Sequence, residues 1–75
     1  MQTISYRLYL LLHNKGISQK DLALMSGLTE SAVSHYIKGD RTPNTNNLIA
    51  IANATNVSPN WILGYGPDDP MERLV

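Results

Sequence analysis

The chain has 75 residues, no net charge and no cysteine, and 43% of its residues are hydrophobic. This length accommodates one small domain, and the apolar share is that of a globular protein. The absence of cysteine excludes a disulfide framework and thiolate metal sites, and it suits a reducing compartment, for which the cytoplasm is the default expectation. No apolar run approaches the roughly 20 residues that span a bilayer, so we expect neither a membrane span nor export.

Two helices are predicted in the first third of the chain. Leucines at the spacing of one helix face predict a first helix over residues 6–14, which Gly16 ends. Ser18 and Asp21 form a variant of the capping box before an apolar run. A second helix should therefore start directly after Ser18 and end near Gly27.

Three more helices are bounded by residue types that favour helix ends. The residues that should begin them are Thr29, Asn44 and Ser58, and those that should end the third and fourth are Gly39 and Asn56. No useful stretch alternates with period two, so we predict an all-α fold of five helices without a strand.

The carboxyl end differs in composition from the rest. Residues 66–75 combine glycine, prolines and paired acids, which indicates a flexible tail or the start of a linker after a domain of residues 1–65. Up to residue 67 the chain has five basic and three acidic side chains, a net charge of plus two. A net charge of this size attracts a partner with many negative charges only weakly.

The third helix has one apolar and one polar side. At 100° per residue, its core-facing arc contains Val33, Tyr36 and Ile37. The opposite side contains Ser31, Ser34, His35 and Lys38. Short polar side chains with many donors are what a helix in the DNA major groove needs, because base edges there present donors and acceptors. The alternative is an ordinary solvated helix surface.

The ordered features resemble the helix-turn-helix of phage repressors and Cro proteins, the lambda-repressor-like family. A small residue on the second helix allows close crossing by the third, and a short glycine-containing turn joins such pairs. The residues that carry the resemblance are Gln19, Leu22, Ala23, Gly27, Leu28, Thr29, Ser31, Val33, Ser34, Gly39, Pro43, Leu48, Ala52, Val57, Ser58, Trp61, Ile62 and Leu63. The resemblance implies a compact five-helix domain that binds duplex DNA, usually as a dimer that represses transcription.

The resemblance also implies a division of roles around the third helix. The residues at base-reading positions are Glu30, Ser31, Ser34 and His35. The residues expected at phosphates are Gln19, Thr29, Lys38, Arg41 and Asn44, and free N–H groups at helix N-termini favour such anions. Glu30 has two possible roles. It either accepts a hydrogen bond from a base amine, or it interacts favourably with the N-terminal dipole of the third helix and helps to exclude non-cognate DNA. His35 is either neutral, and then donates or accepts a hydrogen bond, or charged, and then binds a phosphate.

One departure from the family pattern concerns a pair of positions between the first and third helices. Many relatives have an arginine at the position of Leu12 and a glutamate at that of Ile37. Replacing a buried ion pair with packed apolar side chains is often neutral or stabilising. We therefore expect the fold to persist and Leu12 to touch Ile37.

Other functions receive less support from the sequence. His13 and His35 lack metal-ligand spacing to other ligands and no nucleophile or phosphate-loop motif occurs, so we expect no enzyme, metal or cofactor. A homodimer is expected, with residues 61–65 as its first candidate surface, although Trp61 could equally belong to the core. The alternative function is a protein-interaction module, such as an antitoxin of a toxin–antitoxin pair, using an exposed Leu24 and Met25.

Overall fold

The structure, a computed structural model, describes residues 3–66, which form five α-helices and no strand. The helices are α1 (Ile4–Lys15), α2 (Gln19–Ser26), α3 (Glu30–Lys38), α4 (Thr45–Thr55) and α5 (Pro59–Ile62). The prediction of an all-α, five-helix domain is confirmed. Within the described range, no helix combines the length and apolar character needed to cross a bilayer. Apart from Gly66, the predicted tail lies outside the described residues.

Local hydrogen bonds set the ends of these helices. Every helix begins after a side chain that accepts from a backbone N–H of its first turn, and these residues are Thr3, Ser18, Thr29, Asn44 and Ser58. The residues in the left-handed conformation after the first four helices are Gly16, Gly27, Gly39 and Asn56. The predicted caps of α2 to α5 are thus confirmed. The predicted start of α1 was wrong by two residues, because Thr3 accepts from the Tyr6 N–H and starts the helix at Ile4.

One core joins all five helices. Its buried hydrophobic residues are Leu8, Leu11, Leu22, Ala23, Val33, Tyr36, Leu48, Ile51, Ala52, Val57, Trp61 and Ile62. Leu12 and Ile37 are half-buried and pack against this core. Their direct contact stays a prediction.

A charged side chain is also buried among these residues. Arg7 is 1% exposed, and its guanidinium lies 4.7 Å from the ring centroid of Trp61, within the range of a cation–π interaction. Trp61 is itself 4% exposed. It therefore belongs to the core, the second of the two alternatives for this residue, and its ring is not available at a dimer surface.

The same guanidinium binds the backbone that follows α5. Arg7 Nη1 donates to the carbonyl of Tyr65 at 3.3 Å, and Nη2 donates to the carbonyls of Gly64 at 3.4 Å and Gly66 at 2.6 Å. Nη1 also donates to the Trp61 carbonyl at 3.3 Å. These four charge-assisted hydrogen bonds hold the end of the described chain against α1.

Arg7 was not among the residues predicted from the sequence, although a signal existed. Arg7 lies three residues after Ile4 and four before Leu11, on the helix face that those apolar residues share. An arginine inside an apolar stripe indicates either a buried cation with partners or a break in the stripe. The carbonyls that Arg7 binds come from the far end of the described chain, so the local sequence pattern cannot distinguish a buried cation from a break in the stripe.

The capping box of α2 makes stability depend on pH. Asp21 accepts from the Ser18 backbone N–H at 3.0 Å, and this bond, followed by one with the Ser18 side chain, lowers the pKa of Asp21. A carboxyl with a lowered pKa stabilises the fold above its unfolded pKa, and this contribution is lost as pH falls through the folded value.

We therefore expect Asp21→Asn to be less stable than the parent at pH 7, with a difference that shrinks below about pH 4. Urea unfolding of both proteins between pH 2.5 and pH 7 measures the difference. Asp40 also titrates at low pH but is present in both proteins, so it cancels in the comparison. A stability difference that stays constant across this range would contradict the assignment.

Candidate nucleic-acid interface

The turn between α2 and α3 is short and well defined. Gly27 adopts φ +73°, in the left-handed region where a side chain is strained. The next residue, Leu28, donates its N–H to the Ala23 carbonyl at 3.0 Å and packs half-buried against the core. Thr29 then caps α3 by accepting from the Ala32 N–H at 3.0 Å. The turn thus sets the crossing of α3 over α2.

Three neighbouring elements hold α3 in place. Val33 and Tyr36 are buried in the core that α3 shares with α1 and α2. The Tyr36 hydroxyl accepts from the Asn47 amide of α4 at 2.8 Å, and the Ser5 hydroxyl of α1 donates to the Ile37 carbonyl. With its apolar side fixed in this way, α3 presents its other side outward.

The outward side contains the four residues expected at base-reading positions. Glu30 and Ser31 are exposed, and Ser34 and His35 are half-buried. Ser31, Ser34 and His35 lie at the i, i+3, i+4 spacing of one helix face. None of these side chains is enclosed by the domain, so the face is accessible to a partner.

The residues expected at phosphates border this face at both ends of α3. Thr29 precedes the helix and is exposed, while Lys38, Arg41 and Asn44 are exposed around the segment between α3 and α4. Gln19 is half-buried as the first residue of α2. The structure thus arranges them along the α2–α3 pair and the start of α4.

Capping leaves donors on two of these side chains. Thr29 and Asn44 use their side-chain oxygens to accept from backbone N–H groups, at 3.0 Å and 2.8 Å. The hydroxyl hydrogen of a threonine and the amide hydrogens of an asparagine are not consumed by such bonds. Each residue can therefore cap its helix and still donate to an anion.

One side chain on the polar side of α3 has a partner that the sequence did not predict. His35 Nδ1 lies 2.9 Å from a carboxylate oxygen of Asp40, and this hydrogen bond from His35 is the main reason why the pKa of Asp40 is lowered. Gly39 makes the contact possible, because its φ of +87° turns the chain back at the end of α3. The five-residue spacing across this turn carries no recognised motif.

Two apolar side chains of α2 face solvent. Leu24 is 74% exposed and Met25 is 50% exposed. Their exposure agrees with the prediction of an exposed Leu24 and Met25, while Leu22 and Ala23 of the same helix are buried. Among residues 3–66, no group of three or more His, Asp or Glu side chains is arranged to hold a metal ion.

Comparisons with known proteins agree with this geometry. A sequence model of the helix-turn-helix family matches residues 8–62. No curated protein sequence matches the chain.

Three solved structures resemble the chain closely. The P22 c2 repressor DNA-binding domain is 29% identical, with a TM-score of 0.78 over 83% of this chain and 82% of that one. The same repressor bound to a synthetic operator is 28% identical, with a TM-score of 0.78 over 85% and 97% of the two chains. The restriction-modification controller protein C.AhdI from Aeromonas hydrophila is 34% identical, with a TM-score of 0.75 over 79% and 89%.

Proposed function

We infer that this chain, which belongs to the lambda-repressor-like helix-turn-helix family, binds duplex DNA sequence-specifically and represses transcription as a homodimer on a two-fold operator. The observation that carries the proposal is the polar, accessible side of α3, opposite the buried Val33 and Tyr36. A helix of this kind fits the major groove, where each base pair presents its own pattern of donors and acceptors. The P22 c2 repressor, a similar protein, has been solved with an operator.

In this proposal Glu30, Ser31, Ser34 and His35 contact base edges. Serine hydroxyls donate and accept, so they suit several bases, whereas the Glu30 carboxylate only accepts and selects an exocyclic amine such as that of cytosine. Without such an amine, the phosphates repel Glu30, and its carboxylate only stabilises the N-terminus of α3 through the helix dipole. Base preference at its position therefore distinguishes its two roles.

The remaining site residues hold the duplex in register. Lys38 and Arg41 neutralise phosphates, while Gln19, Thr29 and Asn44 donate neutral hydrogen bonds to them. Such contacts position the protein without selecting a sequence. They compensate for the low net charge of the chain by concentrating cations beside α3.

A homodimer would place two copies of α3 about 34 Å apart, one helical turn of DNA. Because Trp61 is buried, the surface proposed for the dimer centres on the exposed Tyr65 that follows α5. Sedimentation of the protein alone and with a two-fold site measures the state of assembly. The proposed place of action is the cytoplasm.

Selection from random duplex DNA tests the proposal directly. We expect a two-fold sequence preference, and Ser31→Ala should relax the preference at one base position per half-site by about 1 to 3 kcal/mol. Asn14→Ala, an exposed change on α1, is the matched control and should leave the selected sequence unchanged. An unaltered preference in Ser31→Ala would show that Ser31 is not a base-reading residue. No duplex binding at low salt would refute the proposed function.

The exposure of Leu24 and Met25 supports a second candidate, a protein-interaction module. The dependence of binding on salt distinguishes the two candidates. DNA binding weakens with a log–log slope of about −0.9 for each phosphate contact, whereas association through apolar side chains changes little with salt. Absence of duplex binding by the parent, together with salt-insensitive binding of a protein that the Leu24→Ser, Met25→Ser double variant loses, would favour the second candidate.

A further inference from the structure

The hydrogen bond between His35 and Asp40 decides how the imidazole faces a partner. The Nδ1 to carboxylate distance is 2.9 Å, and the two side chains are 32% and 57% exposed. The Gly39 N–H also donates to the His35 carbonyl at 3.0 Å, so the turn that carries Asp40 is anchored to the same residue. The pair is thus built into the end of α3.

The carboxylate fixes the position of one proton on the ring. An ionised carboxylate accepts hydrogen bonds and cannot donate, so the nitrogen that faces it must carry a proton. Because the hydrogen bond from His35 lowers the pKa of Asp40, this carboxyl is ionised at neutral pH. In a neutral imidazole with hydrogen on Nδ1, Nε2 has a free lone pair and acts as an acceptor.

We propose that Asp40 is a positioning residue that holds His35 as the Nδ1–H tautomer, so that Nε2 accepts from the exocyclic amine of adenine or cytosine in the major groove. The inference rests on the proposed function and deepens it, since it assigns the base class that His35 recognises. In the major groove, adenine and cytosine present an amine donor where guanine and thymine present a carbonyl acceptor. An acceptor at Nε2 therefore favours adenine and cytosine, whereas in guanine and thymine it would meet another acceptor.

Asp40→Asn is the most informative variant, because it keeps the size of the side chain. An asparagine offers either its oxygen or its amide to Nδ1 and therefore accepts both tautomers. We expect the parent to select adenine or cytosine over the alternatives at one position per half-site by roughly tenfold or more. Asp40→Asn should lose most of that ratio, as should His35→Ala, and the double variant should lose no more than either.

The ratio between bases, and not overall affinity, is the readout of this experiment. Removing a negative charge beside α3 strengthens binding to every duplex alike, so a purely electrostatic role for Asp40 raises affinity without changing the preference. Asp21→Asn, which removes a carboxylate from α2, is the control and should leave the base ratio at that position unchanged. Unaltered selection in Asp40→Asn would overturn the inference.

The ring itself is observed by 15N NMR of the free protein at pH 8. We expect the shifts of a protonated Nδ1 and an unprotonated Nε2, and a mixture of tautomers in Asp40→Asn. A ring protonated on Nε2, alone or together with Nδ1, would overturn the inference while leaving the proposed function intact. If the ring is the Nδ1–H form but the parent selects no sequence, the proposed function fails, and the role assigned to Nε2 fails with it.

Discussion

Replacing Arg7 with alanine should lower the free energy of unfolding by about 3 kcal/mol or more, because charged hydrogen bonds to four backbone carbonyls are lost and two of these bonds are buried. A domain of 75 residues has only about 4 to 11 kcal/mol to lose. The Arg7 guanidinium reaches four backbone carbonyls from residues 61–66 and lies over the Trp61 ring. Alanine leaves those acceptors without these donors and leaves a void beside the ring.

Urea unfolding followed by tryptophan fluorescence and circular dichroism measures this effect. Trp61 is the single tryptophan of the chain, so its emission reports the environment next to Arg7. Arg7→Lys should fall between the parent and Arg7→Ala, because an ammonium keeps the charge but lacks the fork that reaches several carbonyls.

Arg41→Ala is the matched control for stability, since it removes the same side chain from an exposed position. Changes at such positions usually alter stability by no more than about 0.5 kcal/mol. If Arg7→Ala were as mild as Arg41→Ala, the buried guanidinium would not be a structural element of the fold.

The second large effect is expected in DNA binding, from the double variant Lys38→Ala, Arg41→Ala. Each lost phosphate contact should reduce the log–log salt slope by about 0.9. With parent and variant equal in affinity at 1 M salt, each lost contact weakens binding at 0.1 M salt by about eightfold, and the double variant should bind roughly 60-fold more weakly than the parent. Both side chains are exposed beside α3, and the fold should tolerate their removal. Specific and random duplexes should weaken alike.

Fluorescence anisotropy with labelled duplexes between 50 and 300 mM salt provides these slopes. Lys15→Ala is the control, because it removes a cation from the end of α1, outside the proposed interface. A double variant whose slope equals that of the parent would show that neither cation meets a phosphate. A change confined to one preferred sequence would indicate base contact instead.

Local interactions explain how much of the fold was predictable from the sequence. The Ser18–Asp21 box, the Thr29 cap and the left-handed Gly39 each depend on residues within four positions of one another. Helical periodicity likewise indicated that Val33 and Tyr36 face inward and that the polar side of α3 faces outward. The candidate interface was therefore predictable as a surface.

Side-chain contacts that depend on where the backbone travels could not be predicted in the same way. Arg7 binds carbonyls more than 50 residues away, and its place in the apolar stripe of α1 says nothing about which backbone groups it meets. His35 meets Asp40 only because the turn at Gly39 reverses the chain. The Tyr36 hydroxyl meets the Asn47 amide only because the segment after α3 returns the chain, so that the start of α4 lies near the end of α3.

The sequence alone determined the helices, their ends and the side of α3 that remains exposed, because these follow from caps and periodicity within a few residues. Tertiary structure alone decided that Trp61 is buried over a guanidinium and that the imidazole of α3 has a carboxylate neighbour. The first requires distant segments to pack, and the second requires the chain to reverse at Gly39, so neither follows from periodicity or residue type alone.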